Sequence, residues 1–197
     1  VAEKNDMKKI VFISLIVCII SNYTYSQSFR WVEDSVMSQQ IPVGLCTWND
    51  FSSHDFFAEM QQFYDDYQPQ NLVLKQIADL LKENEQFSKW EVTIVFGAWC
   101  SDSREQLPAW KKIADQLQTD YQVTFSYRLI GCDRSKQTDI AEYDTLVDTL
   151  FSRVPAFIFE YVIPENPTAS EKRFVKGLIE ETPNASIEDD ILLILQQ

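Results

Sequence analysis

The chain is 197 residues long, 45% apolar and 13% aromatic, and its 17 basic against 30 acidic residues give a net charge of −13. That length and apolar content can bury one sizeable core, so one domain with an appendage is expected. The acidic surface repels phosphate backbones and excludes nucleic acid as a partner. Four glycines, none of them grouped, exclude a phosphate-cradling loop.

In chain order, Met7-Lys8-Lys9 followed by the apolar run Ile10–Ile20 has the basic and apolar regions of a secretory signal peptide. The run is too short for a membrane span. Residues 1–26 are therefore expected to be a signal peptide, with the protein exported to a periplasmic or extracellular compartment. Cys18 carries a lipoprotein alternative, in which acylation would tether the chain to a membrane. The bulky Val17, where a small residue normally precedes a lipidated cysteine, favours plain export. Without residues 1–26 the chain keeps 14 basic and 28 acidic residues and loses Cys18. The odd set Cys46, Cys100 and Cys132 then leaves at least one free or intermolecular thiol.

Residues 27–50 show no sustained period and read as an irregular N-terminal lead, with Cys46 as a small apolar side chain tucked beneath it. Residues 51–197 read as the folded domain. Phe56, Phe57, Met60, Phe63, Tyr64 and Tyr67 follow helical spacing after a capping-box-like Ser52 and Asp55, and Pro69 ends the helix. Leu72, Val73, Ile77, Leu80 and Leu81 predict a second helix ending near Phe87. Val92–Phe96 suits a central strand covered on both faces. Leu107, Trp110, Ile113, Ala114 and Leu117 place an apolar stripe on the next helix. Val123–Ile130 predicts a strand, and Ile140, Tyr143, Leu146, Val147 and Leu150 a crossover helix. Residues 156–163 are β-branched and aromatic enough for a strand, with Lys172–Leu178 as an antiparallel partner. Ser186 and Asp189 cap a last helix over Ile187, Ile191, Leu192 and Leu195. His54 is the sole histidine, which argues against a zinc site or a Cys–His protease. No residue implies a metal or a cofactor.

The stretch 95–108 concentrates the chemistry. An apolar strand ends at Gly97, and Trp99-Cys100 stands where a helix begins. Backbone N–H groups at a helix N-terminus favour a thiolate, the nucleophilic form of cysteine. Pro108 falls inside the helix and removes one of its backbone hydrogen bonds.

Trp99, Cys100, Pro108, the Val154-Pro155 pair before a strand and Gly177 in a following strand occur in an order that resembles the thioredoxin superfamily over roughly residues 90–197. The WCxDS form resembles bacterial exported members of poorly defined activity. The resemblance implies a thioredoxin-like α/β fold: a central mixed sheet flanked by helices, here with an extra N-terminal helical segment. It also implies that Pro155 is cis and packs against Cys100, with Trp99, Val154 and Pro155 contacting substrate. The sequence departs from the pattern at Ser103, where a hydroxyl replaces the second sulfur of C-x-x-C, and at Ile94, where a buried carboxylate would stand. Ser103 can donate a hydrogen bond to a Cys100 thiolate but cannot resolve a mixed disulfide.

Two function classes follow. The first is monothiol thiol–disulfide exchange, an oxidoreductase or isomerase activity on protein or peptide disulfides with Cys100 as nucleophile. Release of its adduct needs another thiol, either an external reductant or Cys132. In the resembled fold Cys132 lies on a strand beside the one leading to Cys100, which makes it a candidate resolving thiol. A buried structural thiol is the competing reading of that residue. The second class is a redox-inactive module that binds peptides at the proline edge, with Cys100 a vestige.

Overall fold

The computed structural model describes residues 29–84, 89–163 and 172–197. The proposed signal segment, Cys18 and the predicted helix end near Phe87 lie outside the described residues. Among the described residues, six strands and five helices follow one another as β1 Arg30–Asp34, β2 Gln39–Cys46, α1 Asp55–Asp66, α2 Asn71–Asn84, β3 Lys89–Phe96, α3 Ser101–Tyr121, β4 Ser126–Gly131, α4 Ala141–Asp144, β5 Ala156–Ile163, β6 Lys172–Glu180 and α5 Ile187–Leu195. A 3-10 turn, Trp48–Phe51, joins β2 to α1. The strands form a single mixed sheet in the order β1-β2-β4-β3-β5-β6, with β3 and β4 parallel and every other neighbouring pair antiparallel. The molecule is thus an α/β protein with a six-stranded mixed sheet flanked by helices.

Alternation along β3 separates the two faces of this sheet. Trp90, Val92, Ile94 and Phe96 point into the larger core together with Leu129, Phe157 and Phe159, beneath α1, α2, α3 and α5. Trp110 of α3 is fully buried there, its ring centroid 5.4 Å from Phe125 and 5.9 Å from both Phe157 and Phe159. Val95, Ile130, Ala156 and Ile158 face the other way, against Tyr143, Phe151 and Val154.

Three sequence expectations give way. The residues read as an irregular lead form the β1–β2 hairpin, in register at Trp31 and Pro42. Ile41 to Gly44 are all buried, so no alternation shows in the sequence, and Pro42 masks the strand further. The hairpin turn is closed by the Asp34 carboxylate, which accepts from the Val36 and Met37 N–H groups at 2.9 Å each. Close packing of β2 on β4 leaves no room at Gly131, where a Cβ would lie 2.2 Å from the Pro42 carbonyl oxygen.

The crossover helix over 140–150 shrinks to the single turn of α4. Asp144 accepts from the Thr138 backbone N–H and hydroxyl, and Asp148 adopts φ 61, so the chain continues as turns. The predicted apolar positions still pack on the sheet, because Tyr143 is buried there and Leu146, Val147 and Leu150 lie against it. Finally, α1 starts after His54 rather than Ser52. Ser52 donates to the Asn49 carbonyl and closes the 3-10 turn, whose own start carries the capping box of Thr47 and Asp50. At the C-terminal end, Ser186 caps α5 by accepting from the Asp189 N–H.

Candidate active site

The end of β3 turns sharply into α3. The Cys100 N–H donates to the Gly97 carbonyl at 2.8 Å, leaving Cys100 as the N-cap of a 21-residue helix with φ −92 and ψ 127. Gly97 is required by the side chain that follows it: a Cβ there would come within 2.5 Å of the Trp99 ring. The indole thus folds back over the turn and donates from Nε1 to the Cys132 carbonyl at 3.2 Å.

Trp99 is held from outside by Arg134, whose guanidinium carbon stands 5.1 Å from the ring centroid. Arg134 Nε in turn donates to Asp34 Oδ2 at 2.7 Å. The Asp34 side chain is only 1% exposed. Burial pushes its carboxyl up, but the Met37 and Val36 N–H groups and Arg134 outweigh this and hold it below the usual carboxylate range. The N-terminal hairpin therefore braces the tryptophan beside Cys100. Sequence reading missed this brace, because its two ends are a hundred residues apart.

Cys100 is half-buried, and its Sγ lies 3.3 Å from the Val154 carbonyl oxygen, which accepts from the thiol. The Val154–Pro155 peptide bond is cis, and both residues are buried. Their loop is pinned by Glu180 at the end of β6, whose carboxylate accepts from the Ser152 and Arg153 N–H groups. The Pro155 carbonyl accepts from the Glu181 N–H at 2.8 Å. The sequence carried no local sign of this pin, which joins residues 27 and 28 positions apart.

Ser103 is buried, and its hydroxyl oxygen accepts from the Gly97 N–H at 3.2 Å. It braces the turn from beneath, and that contact leaves the hydroxyl proton unspent. Arg104, one turn after the cysteine, is tied to α1 by a 2.7 Å ion pair with Glu59. Trp99, Cys100, Val154 and Pro155 thus meet at one end of the sheet, with Ser103 behind them.

Cys132 follows β4 as Gly97 follows β3. It is fully buried, its N–H donates to the Phe96 carbonyl at 2.8 Å, and burial pushes its thiol well above the ordinary range. It packs with Val154, Tyr143 and Phe151, and both Trp99 and Cys100 lie against the same cluster. Cys46 belongs to the larger core on the opposite face, where its Sγ lies 3.7 Å from the Leu129 carbonyl oxygen and burial raises its thiol to about 12. All three described cysteines are free thiols. His54 is remote in role, stacked on Trp31 with 3.6 Å between centroids. Among the described residues, no cluster of histidine, cysteine and acidic side chains is placed to hold a metal ion, and no helix is long and apolar enough to cross a membrane.

No family model matches the sequence, and no curated protein matches it. Among solved structures, the chain is similar to a crystal structure of a protein of unknown function from Pseudomonas aeruginosa, with 13% identity and a TM-score of 0.45 over 76% of this chain and 90% of that one. A likeness of that size carries no argument about either fold family or activity.

Proposed function

We propose that this chain is an exported, thioredoxin-like thiol–disulfide exchange protein with Cys100 as its nucleophile. The observation that carries the reading is the half-buried Cys100 thiol at the N-terminus of α3, 3.3 Å from the Val154 carbonyl and beside Pro155. Further support comes from the order Trp99, Cys100, Pro108, Val154-Pro155 and from the mixed sheet, with β3 leading into the cysteine and β5 following the proline.

In the proposed reaction, the Cys100 thiolate attacks one sulfur of a protein or peptide disulfide. A Cys100 mixed disulfide forms, the substrate S–S bond breaks, and the other substrate sulfur leaves as a thiolate that takes up a proton. Trp99, Val154 and Pro155 line the contact with substrate, and Ser103 holds the turn. Asymmetric peptide disulfides incubated with the protein are expected to give a Cys100–peptide adduct by mass spectrometry, and Cys100→Ser is expected to give none. Peptide binding without any adduct would replace this reading with that of a redox-inactive binding module.

A further inference from the structure

We propose that Cys132 is the resolving thiol of this site, closing an intramolecular Cys100–Cys132 disulfide once Trp99 moves off the Cys132 carbonyl. The inference rests on the exchange reading above and names what happens to its adduct. Three observations carry it. The two thiols leave adjacent parallel strands at the same end: Phe96 is in register with Gly131, the Cys132 N–H is bonded to the Phe96 carbonyl, and the Cys100 N–H is bonded to the carbonyl of the next residue, Gly97. Both belong to one packed group with Val154, whereas Cys46 lies in the core across the sheet. The indole hydrogen-bonded to the Cys132 carbonyl belongs to the residue directly before Cys100 and packs, like Cys100 itself, against the cluster that holds Cys132, so displacing Trp99 would free the Cys132 backbone and loosen the packing between the two thiols.

The chemistry balances without a cofactor. After Cys100 has formed its mixed disulfide, the Cys132 thiolate attacks Cys100 Sγ. The Cys100–Cys132 bond forms, the Cys100–substrate bond breaks, and the substrate sulfur leaves as a thiolate. The substrate disulfide has then gained two electrons and the two protons of the cysteine thiols, while the protein holds one disulfide. An external dithiol resets the pair by the same exchange. Burial keeps Cys132 protonated in the closed arrangement, so the second thiol stays silent until the site opens.

The test uses the full chain, an asymmetric peptide disulfide and peptide mapping by mass spectrometry. In the wild type, a transient Cys100 adduct is expected to give way to a Cys100–Cys132 cross-link with release of the peptide thiol. In Cys132→Ser the adduct should persist more than about tenfold longer, because only an external thiol can remove it. Trp99→Phe, which keeps a ring but removes the donor to the Cys132 carbonyl, should close the cross-link faster than wild type. A wild-type adduct that persists with no cross-link overturns the role of Cys132 and leaves the Cys100 reading standing. Absence of an adduct in both wild type and Cys132→Ser overturns the exchange reading itself. An unchanged or slower closure in Trp99→Phe overturns the part given to the indole. The wild-type map decides the main point even if a variant fails to fold.

Discussion

The two faces of the sheet are built for different purposes. On one, four helices seal an unbroken aromatic and aliphatic layer around Trp110. On the other, the cover is one short helix and a run of turns, and it reaches only the end of the sheet that carries Cys132 and Val154. Farther along that second face the strands present charges. Glu91 and Glu160 sit opposite each other in the β3–β5 register, and Arg173 lies 2.7 Å from Glu91 and 3.6 Å from Glu160. Arg128 completes the stripe at 3.5 Å and 3.9 Å from the same two carboxylates. The larger core lies on the first face, while the end of the second is closed by a smaller packed cluster around Tyr143, Phe151 and Val154. The two buried cysteines follow this division: Cys46 lies in the core under the helices, and Cys132 lies in the second cluster with Tyr143, Phe151 and Val154, against which Trp99 packs.

The sharpest way to break this contrast is to cut into the first face. Trp110→Ala should cost about 3–5 kcal/mol, read as a fall in the urea midpoint. A loss below about 1 kcal/mol would mean that the helical layer is not the main source of stability.

Alkaline pH offers the next largest effect. Burial raises the Cys46 thiol to about 12, whereas an unfolded cysteine titrates near 8.5. Below about 8.5 both states are protonated and the contribution is complete. As pH rises toward 12 the unfolded chain loses its proton first, so stability should fall by up to about 1.4 kcal/mol per pH unit for this thiol. Urea midpoints between pH 8 and 10 should show the decline, and Cys46→Ala should make it shallower, with buried Cys132 supplying the remainder. A slope indifferent to Cys46 would place that thiol in contact with water.

A smaller effect should follow from loosening the brace on the second face. Arg134→Gln removes the cation over Trp99 and the charged partner of Asp34, at a cost of about 1 kcal/mol given the exposure of the arginine. Alkylation of Cys132 should accelerate in that variant while that of Cys46 stays unchanged. The smallest effect is expected at the charged stripe, where Arg128→Ala should change stability by less than about 1 kcal/mol because the ion pairs are half-exposed.

Much of the first face was legible in the sequence, because Phe56, Met60, Ile77, Trp110 and Ile191 repeat at helical spacing and do bury together. The turn at Gly97–Cys100 was legible too, since its residues are contiguous. What escaped was held by pairing at a distance. The strand β2 looked irregular because it is covered on both faces and contains Pro42. The apolar spacing of Ile140 to Leu150 predicted a helix, but the Asp144 carboxylate bonds back to Thr138 and the chain turns instead. The brace from Asp34 and the pin from Glu180 shape the site through side chains that no local pattern connects to it.

The central claim is that, among the described cysteines, Cys100 alone presents a reactive thiol while Cys46 and Cys132 are shut away. Native protein treated briefly with iodoacetamide, then digested and mapped, tests this directly for the described cysteines. Modification at Cys100 well ahead of the other two is the predicted result. Equal labelling of all three, or labelling of Cys46 first, would contradict the account.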